Sequence, residues 1–188
     1  GTAGTLTRCY SLSAYLNEGL ALEMLCDASP TGIGAGLGED GIVTECFHDE
    51  LTAVDEKVLG HPRGSSEGQQ SWEALVILVC LRVWAHKWHG RRVSLRVASD
   101  SVTALTALVK MKARGHGPAT VARELALDIA ETLYDPNIIE HIPGVSNVAA
   151  DWLSRADKRA STPMPPSLSS ASMVSVPART QEWWRSLS

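Results

Sequence analysis

The sequence predicts an α/β fold: a mixed, five-stranded sheet, its first three strands antiparallel, flanked by helices. Three observations carry this. Short apolar or alternating runs, each bounded by turn residues, open the chain. A long apolar helix follows them. After it, strand-like and helix-like stretches alternate, which calls for parallel strands joined by helical crossovers. The chain has 188 residues, 44% of them hydrophobic and 20% charged, enough for one domain with a sizeable core.

Each element follows in order. Residues 1–18 are small, polar and aperiodic and read as an incoming linker; the first residue is Gly1, not Met, so a fragment of a longer product is expected. Leu20 to Asp27 alternates imperfectly and runs into Asp-Ala-Ser-Pro, a strand and its turn. Gly32-Ile-Gly-Ala-Gly-Leu-Gly38 has glycine at every second position, so one face of the second strand should lack side chains. Glu39-Asp-Gly41 turns the chain back into a third strand, Ile42 to Phe47. Residues 49–70 carry loop-like Pro, Gly and Ser. From Ser71 to Trp88 the chain reads as a helix apolar on most of its surface, to be covered on more than one side.

Arg92 to Ser99 alternates as a strand, Ser101 to Lys112 and Ala119 to Tyr134 read as helices, Asn137 to Ile142 as a short strand and Ser146 to Ala156 as a last helix. The domain is thus expected over 19–157. Residues 158–188 form a Ser/Pro-rich tail, read as flexible. Trp183 and Trp184 within it either dock on a neighbouring domain or begin a further segment.

The formal net charge of −4 excludes a protein that grips nucleic acid by bulk charge alone. Local groups differ: Arg82, Lys87, Arg91, Arg92 and Arg96 lie close together, as do Lys110, Lys112 and Arg114. They read equally as solvated helix ends or as a phosphate-contacting patch. The four cysteines form no CxxC pair, so buried thiols in a reducing, intracellular compartment are expected. The longest apolar run, Ala74 to Leu81, is too short to span a bilayer, and no basic and then apolar leader opens the chain; no membrane partner is expected.

Four acids stand out by position. Asp27 and Asp100 close strands, where open α/β sheets gather ligand sites. Glu73 is expected in the first turn of the apolar helix, and Asp151 lies among Ala149, Ala150, Trp152 and Leu153 in the last. Singly, each has a plain structural role: Asp27 and Asp100 as turn or helix caps, Glu73 as a partner of the helix dipole, Asp151 as a solvent-facing residue. Jointly they converge if the crossovers are right-handed. Carboxylates so gathered repel one another, and divalent cations relieve that repulsion. Two ions roughly 4 Å apart can activate a water and stabilise a leaving oxygen in phosphoryl displacement.

The segments Cys26-Asp-Ala-Ser-Pro-Thr-Gly-Ile-Gly-Ala-Gly-Leu37, Trp72-Glu-Ala-Leu75, Ala98-Ser-Asp-Ser-Val-Thr-Ala-Leu105 and His141-Ile-Pro-Gly-Val-Ser-Asn-Val-Ala-Ala-Asp-Trp-Leu-Ser-Arg155 resemble the ribonuclease H family, in the form attached to reverse transcriptases of gypsy-like retroelements. The resemblance covers about residues 20–156. It implies a ribonuclease H-like fold and cleavage of the RNA strand of an RNA/DNA hybrid. It also implies two Mg²⁺ ions, with Mn²⁺ able to substitute, on Asp27, Glu73, Asp100 and Asp151. Asp27 would bridge both ions, Glu73 and Asp100 would hold the one near the leaving group, and Asp151 the one presenting water. Ser29, Ser101, Asn147, Arg91 and Arg92 are the expected substrate contacts. The family's loop histidine before the final helix has no counterpart in Gly144-Val-Ser-Asn147, and His141 is the nearest candidate. The family's basic protruding helix is missing too. With the acidic total, this implies weak hybrid binding by the domain alone, the hybrid being delivered by the polymerase domain of the same polyprotein.

Other readings fit less well. The glycine run enters a strand, not the helix a dinucleotide fingerprint needs. Actin-like ATPases need a second lobe. A related exonuclease wants an acid where Ser29 stands, and an integrase wants Glu where Asp151 stands. The principal alternative is a non-catalytic, ribonuclease H-like connector within a reverse transcriptase.

Overall fold

The computed structural model describes residues 20–39, 42–88, 93–98, 113–131, 137–138 and 145–187. Its centre is a mixed sheet with strand order β5-β4-β1-β2-β3-β6. The body consists of β1 (Leu20–Ala28), β2 (Gly32–Glu39), β3 (Ile42–Glu50) and β4 (Val93–Ala98). At the edges lie two-residue strands, β5 (Asn137–Ile138) and β6 (Ser172–Met173). β1, β2 and β3 form the expected antiparallel meander, and β4 lies parallel to β1 with Leu25 registered on Ala98. The chain is therefore α/β, a mixed sheet flanked by helices. Among the described residues no helix is long and apolar enough to cross a membrane.

Alternation along β1 feeds two cores. Leu22, Met24, Cys26 and Ala28 face one side, where helix α2 (Gln69–Val83) packs; Leu25 faces the other, where helix α4 (Val145–Ser154) packs. Trp72 and every residue from Ala74 to Leu81 are buried, so α2 is enclosed by the sheet on one side and by helix α3 (His116–Glu131) on another. After Trp84 it continues as one further turn, Ala85–Trp88. The described cysteines, Cys26, Cys46 and Cys80, are free and buried.

Three departures from the sequence reading have physical causes. The unread stretch 49–70 contains helix α1 (Ala53–Leu59), started by a capping box: Thr52 accepts from the Asp55 N–H, and the Asp55 carboxylate accepts from the Thr52 N–H. α3 begins at His116, earlier than expected, because Pro118 falls in its first turn, where a missing N–H costs nothing. The largest departure is the Ser/Pro-rich segment. After helix α5 (Ala156–Ser161) it is no flexible tail but lies along the domain. It adds β6 to the edge of β3, a sixth strand where five are expected, and buries Leu168, Arg179 and Trp184. Trp184 docks in the core of its own domain, not on a neighbour.

Two buried ionic clasps hold this segment. The Arg179 guanidinium, fully enclosed, donates Nε to the equally enclosed Asp55 carboxylate at 3.0 Å, Nη2 to the Glu50 carbonyl at 2.6 Å, and pairs with Asp49. The enclosed Glu124 carboxylate accepts from Arg82 Nη2 at 2.7 Å and from the backbone N–H groups of Arg185 and Ser186 at 3.0 and 2.6 Å. Arg82 also donates to the Trp183 carbonyl at 2.7 Å and lies over the Trp183 ring, 4.3 Å from its centroid.

Breaking a buried pair leaves a charge without its partner, so Arg179→Met should lower unfolding free energy by about 3–5 kcal/mol in urea titrations. The Glu124 clasp should be pH-dependent. Burial works to raise the Glu124 carboxyl, but the hydrogen bonds from Ser186, Arg82 and Arg185 outweigh it and hold it below 4.5. A depressed carboxylate stabilises the fold above its unfolded value and loses that contribution as pH falls through its folded one. The stability gap between wild type and Glu124→Gln should therefore be largest at neutral pH and close as pH drops below 4.5.

Candidate functional site

The site begins with the glycines of β2. A Cβ on Gly34 would lie 2.4 Å from the Leu153 Cβ and from the Ser154 N; one on Gly32 would lie 2.7 Å from the Ser154 carbonyl oxygen. The C-terminal turn of α4 thus rests directly on the strand backbone, with Ala149, Ala150 and Leu153 fully buried beneath it. The bare strand face expected from the glycine alternation is the seat of the last helix.

That seat brings α4 to the end of β1. Ser154 Oγ donates to Asp27 Oδ2 at 2.6 Å. Ser29, in the turn after β1, donates to the Ser154 carbonyl at 2.8 Å and accepts from the Gly32 N–H at 3.0 Å. Ser29, expected as a substrate contact, is 1% exposed, and its hydroxyl bonds within the protein. On the other face of the sheet, Gln69 at the start of α2 donates Nε2 to the Ala28 carbonyl at 2.7 Å and to Glu73 Oε1 at 3.4 Å. α2 starts at Gln69, so Glu73 lies beyond its first turn and its pairing with the helix dipole is weaker than the sequence suggests.

The acids at this sheet end differ in charge balance. Burial lifts the Asp27 carboxyl above its ordinary value, and the neighbouring Asp151 charge adds to the rise; the Ser154 hydrogen bond and the Arg155 charge oppose it without cancelling it. Asp151 goes the other way. Burial works to raise it, but Lys158 and Arg155 overcome that and hold it low. Arg155 Nε donates to Asp151 Oδ1 at 2.7 Å, and Lys158 Nζ pairs with Oδ2.

Of the remaining expected site residues, Asp100, Ser101, Arg91, Arg92 and His141 lie outside the described residues. Asn147 falls within α4, described as backbone only. Among the described residues no group of three or more His, Cys, Asp or Glu is gathered closely enough to hold a metal ion. What is brought together is Asp27 with Asp151, and the end of β1 with Gln69 and Glu73. Sequence reasoning missed Gln69, Ser154, Arg155 and Lys158. Ser154 and Arg155 sit inside the quoted Leu-Ser-Arg ending, and Lys158 lies one turn beyond it.

A cleft of about 310 Å³ opens behind the β1–β2 turn, lined by Thr31, Asp49, Glu50, Arg63, Ser154 and Arg159 among others. Asp27 and Asp151 do not line it. Several of its polar groups are engaged within the protein: Arg63 pairs with Glu56, Asp49 with Arg179, and Arg159 donates to the Leu153 carbonyl.

The sequence matches no protein-family model and no curated protein. Function therefore rests on the residues and their surroundings.

The seating of α4 has a direct test. Gly34→Ala forces a methyl into backbone atoms and should destabilise the fold by about 1–3 kcal/mol or more. Gly36→Ala, whose nearest Cβ neighbours would be Val43 and Leu25 side-chain atoms at 3.0 Å and beyond, should cost less in the same thermal unfolding experiment.

Proposed function

We propose that this chain is a ribonuclease H-like domain of a retroelement reverse transcriptase that hydrolyses the RNA strand of RNA/DNA hybrids. The observation that carries the proposal is Asp27: a part-buried carboxylate at the end of a central strand, held by the Ser154 hydroxyl at 2.6 Å and close enough to Asp151, on a helix far along the chain, to feel its charge. Burying such a charge is unfavourable unless a cation completes the site. The neighbouring strand supports the reading. β4 is parallel to β1, and its last residue, Ala98, is registered with Leu25; Asp27 and Asp100 each follow two residues later in sequence.

Asp27, Glu73, Asp100 and Asp151 offer the hard oxygen donors that Mg²⁺ or Mn²⁺ takes. Bound there, two such ions would supply an activated water and charge stabilisation of the leaving oxygen. The protein's own part is arrangement. Ser154 holds one Asp27 oxygen, Gln69 ties Glu73 to the end of β1, and the glycine seat fixes the depth of α4. Holding an ion at Asp151 requires Arg155 and Lys158 to give up the carboxylate. Both side chains are partly exposed, at 39% and 43%, which leaves them room to turn to solvent or to a phosphate oxygen. The net charge of −4 favours delivery of the hybrid by the polymerase domain of the same polyprotein over capture by this domain alone.

One observation favours a second reading, the non-catalytic connector: Asp151 is already neutralised by two cations. Hybrid cleavage separates the two. The chain should cut the RNA strand only with Mg²⁺ or Mn²⁺ present. Asp27→Asn should reduce the rate by more than the roughly 10–100-fold typical of losing a residue that merely supports a metal ligand. No cleavage with either metal would favour the connector, and cleavage that survives Asp27→Asn would place the chemistry elsewhere.

A further inference from the structure

Ser154 lies behind Asp27, and its surroundings are more specific than a helix end requires. Its hydroxyl has one proton and two acceptors in reach: Asp27 Oδ2 at 2.6 Å and the carbonyl of Asp151 at 3.2 Å. The nearer acceptor is a charged carboxylate, so the proton goes to Asp27. The carbonyl of Ser154 is held in turn by the Ser29 hydroxyl at 2.8 Å, which anchors the end of α4 to the β1–β2 turn. Gly32 and Gly34 leave the space for that approach. Ser154 is 1% exposed, so no water competes for the hydroxyl.

From these contacts we infer that Ser154 is a positioning residue for the Asp27 carboxylate, fixing the oxygens that take a divalent cation. The inference rests on the metal-site reading of Asp27 given above. Ser154 touches neither ion nor substrate in this role; it acts through Asp27, as the hydrogen-bonded supporters of metal-ligating carboxylates do elsewhere. The Leu-Ser-Arg ending of α4 then has a division of labour. Leu153 packs on the glycine strand, Ser154 orients Asp27, and Arg155 balances Asp151 until the site is filled.

The test is Mn²⁺ binding to the full chain, read by electron paramagnetic resonance without nucleic acid, with thermal midpoints recorded for every variant. Ser154→Ala should weaken Mn²⁺ binding by roughly 10–100-fold. Ser154→Cys fills the same space with a poor hydrogen-bond donor; it should keep a near-native midpoint and still lose affinity. Ser154→Thr retains the hydroxyl and should bind as the wild type does. Asp27→Asn is the control for the site itself. If Asp27→Asn loses Mn²⁺ while the folded Ser154→Cys variant binds like wild type, the positioning role is overturned and the metal site stands. If Asp27→Asn binds Mn²⁺ unchanged, the metal site itself falls.

Discussion

The contact on which this structure turns is the approach of a helix end to a strand that has no side chains to keep it away. The α4 backbone at Leu153 and Ser154 sits where Cβ atoms of Gly34 and Gly32 would be. A strand of ordinary residues would hold the helix farther off, at the spacing set by two layers of side chains. Here one layer is removed, and α4 drops onto the sheet. Its last turn then reaches the end of β1, and Asp151, one turn earlier, comes to face Asp27 across that end. Depth of packing, rather than loop geometry, brings two acids separated by most of the domain into one electrostatic environment.

That environment is deliberately unequal in its effect on the two acids. At Asp27 burial wins over a short hydrogen bond and a nearby arginine, so the carboxyl is held above its ordinary value. At Asp151, 31% exposed, two cations win over burial and hold it below. Together they leave one carboxylate that burial holds high and one compensated by two partly exposed cations. A rigid salt bridge at both acids would suit a scaffold. One acid held high by burial beside one held low by two cations is the contrast on which the proposed cation site rests.

Much of this was legible in the sequence, for identifiable reasons. Glycine at alternate positions of β2 announced a bare face because strand periodicity is strict; Gly32 and Gly34 form the helix seat, whereas Gly38 lies against the β3 backbone beside a register shift. The burial of α2 followed from its lack of a polar face. α1 was hidden because it is only seven residues long, too short for its Val54, Val58 and Leu59 to show a clear helical period, and the nearby Pro and Gly mask its Thr52–Asp55 capping box. The C-terminal segment misled for a different reason. Its composition cannot build a core, but it needs only to contribute Arg179 and Trp184 to one that exists already, where Asp55 and Glu124 wait as partners. Pairwise contacts so distant in sequence leave no local pattern. The hydroxyl of Ser154 was in view within its motif, yet its role depends on the glycine seat and emerges only in three dimensions.

The most direct measurement of the central claim is a crystal structure of the chain soaked in Mn²⁺, with the ions located by anomalous scattering. The account requires anomalous peaks between Asp27, Glu73, Asp100 and Asp151, a pair of them about 4 Å apart once substrate is present. Arg155 and Lys158 should be turned away from Asp151. Peaks elsewhere on the molecule, or an untouched Asp151–Lys158 pair beside an empty Asp27 at saturating Mn²⁺, would contradict it.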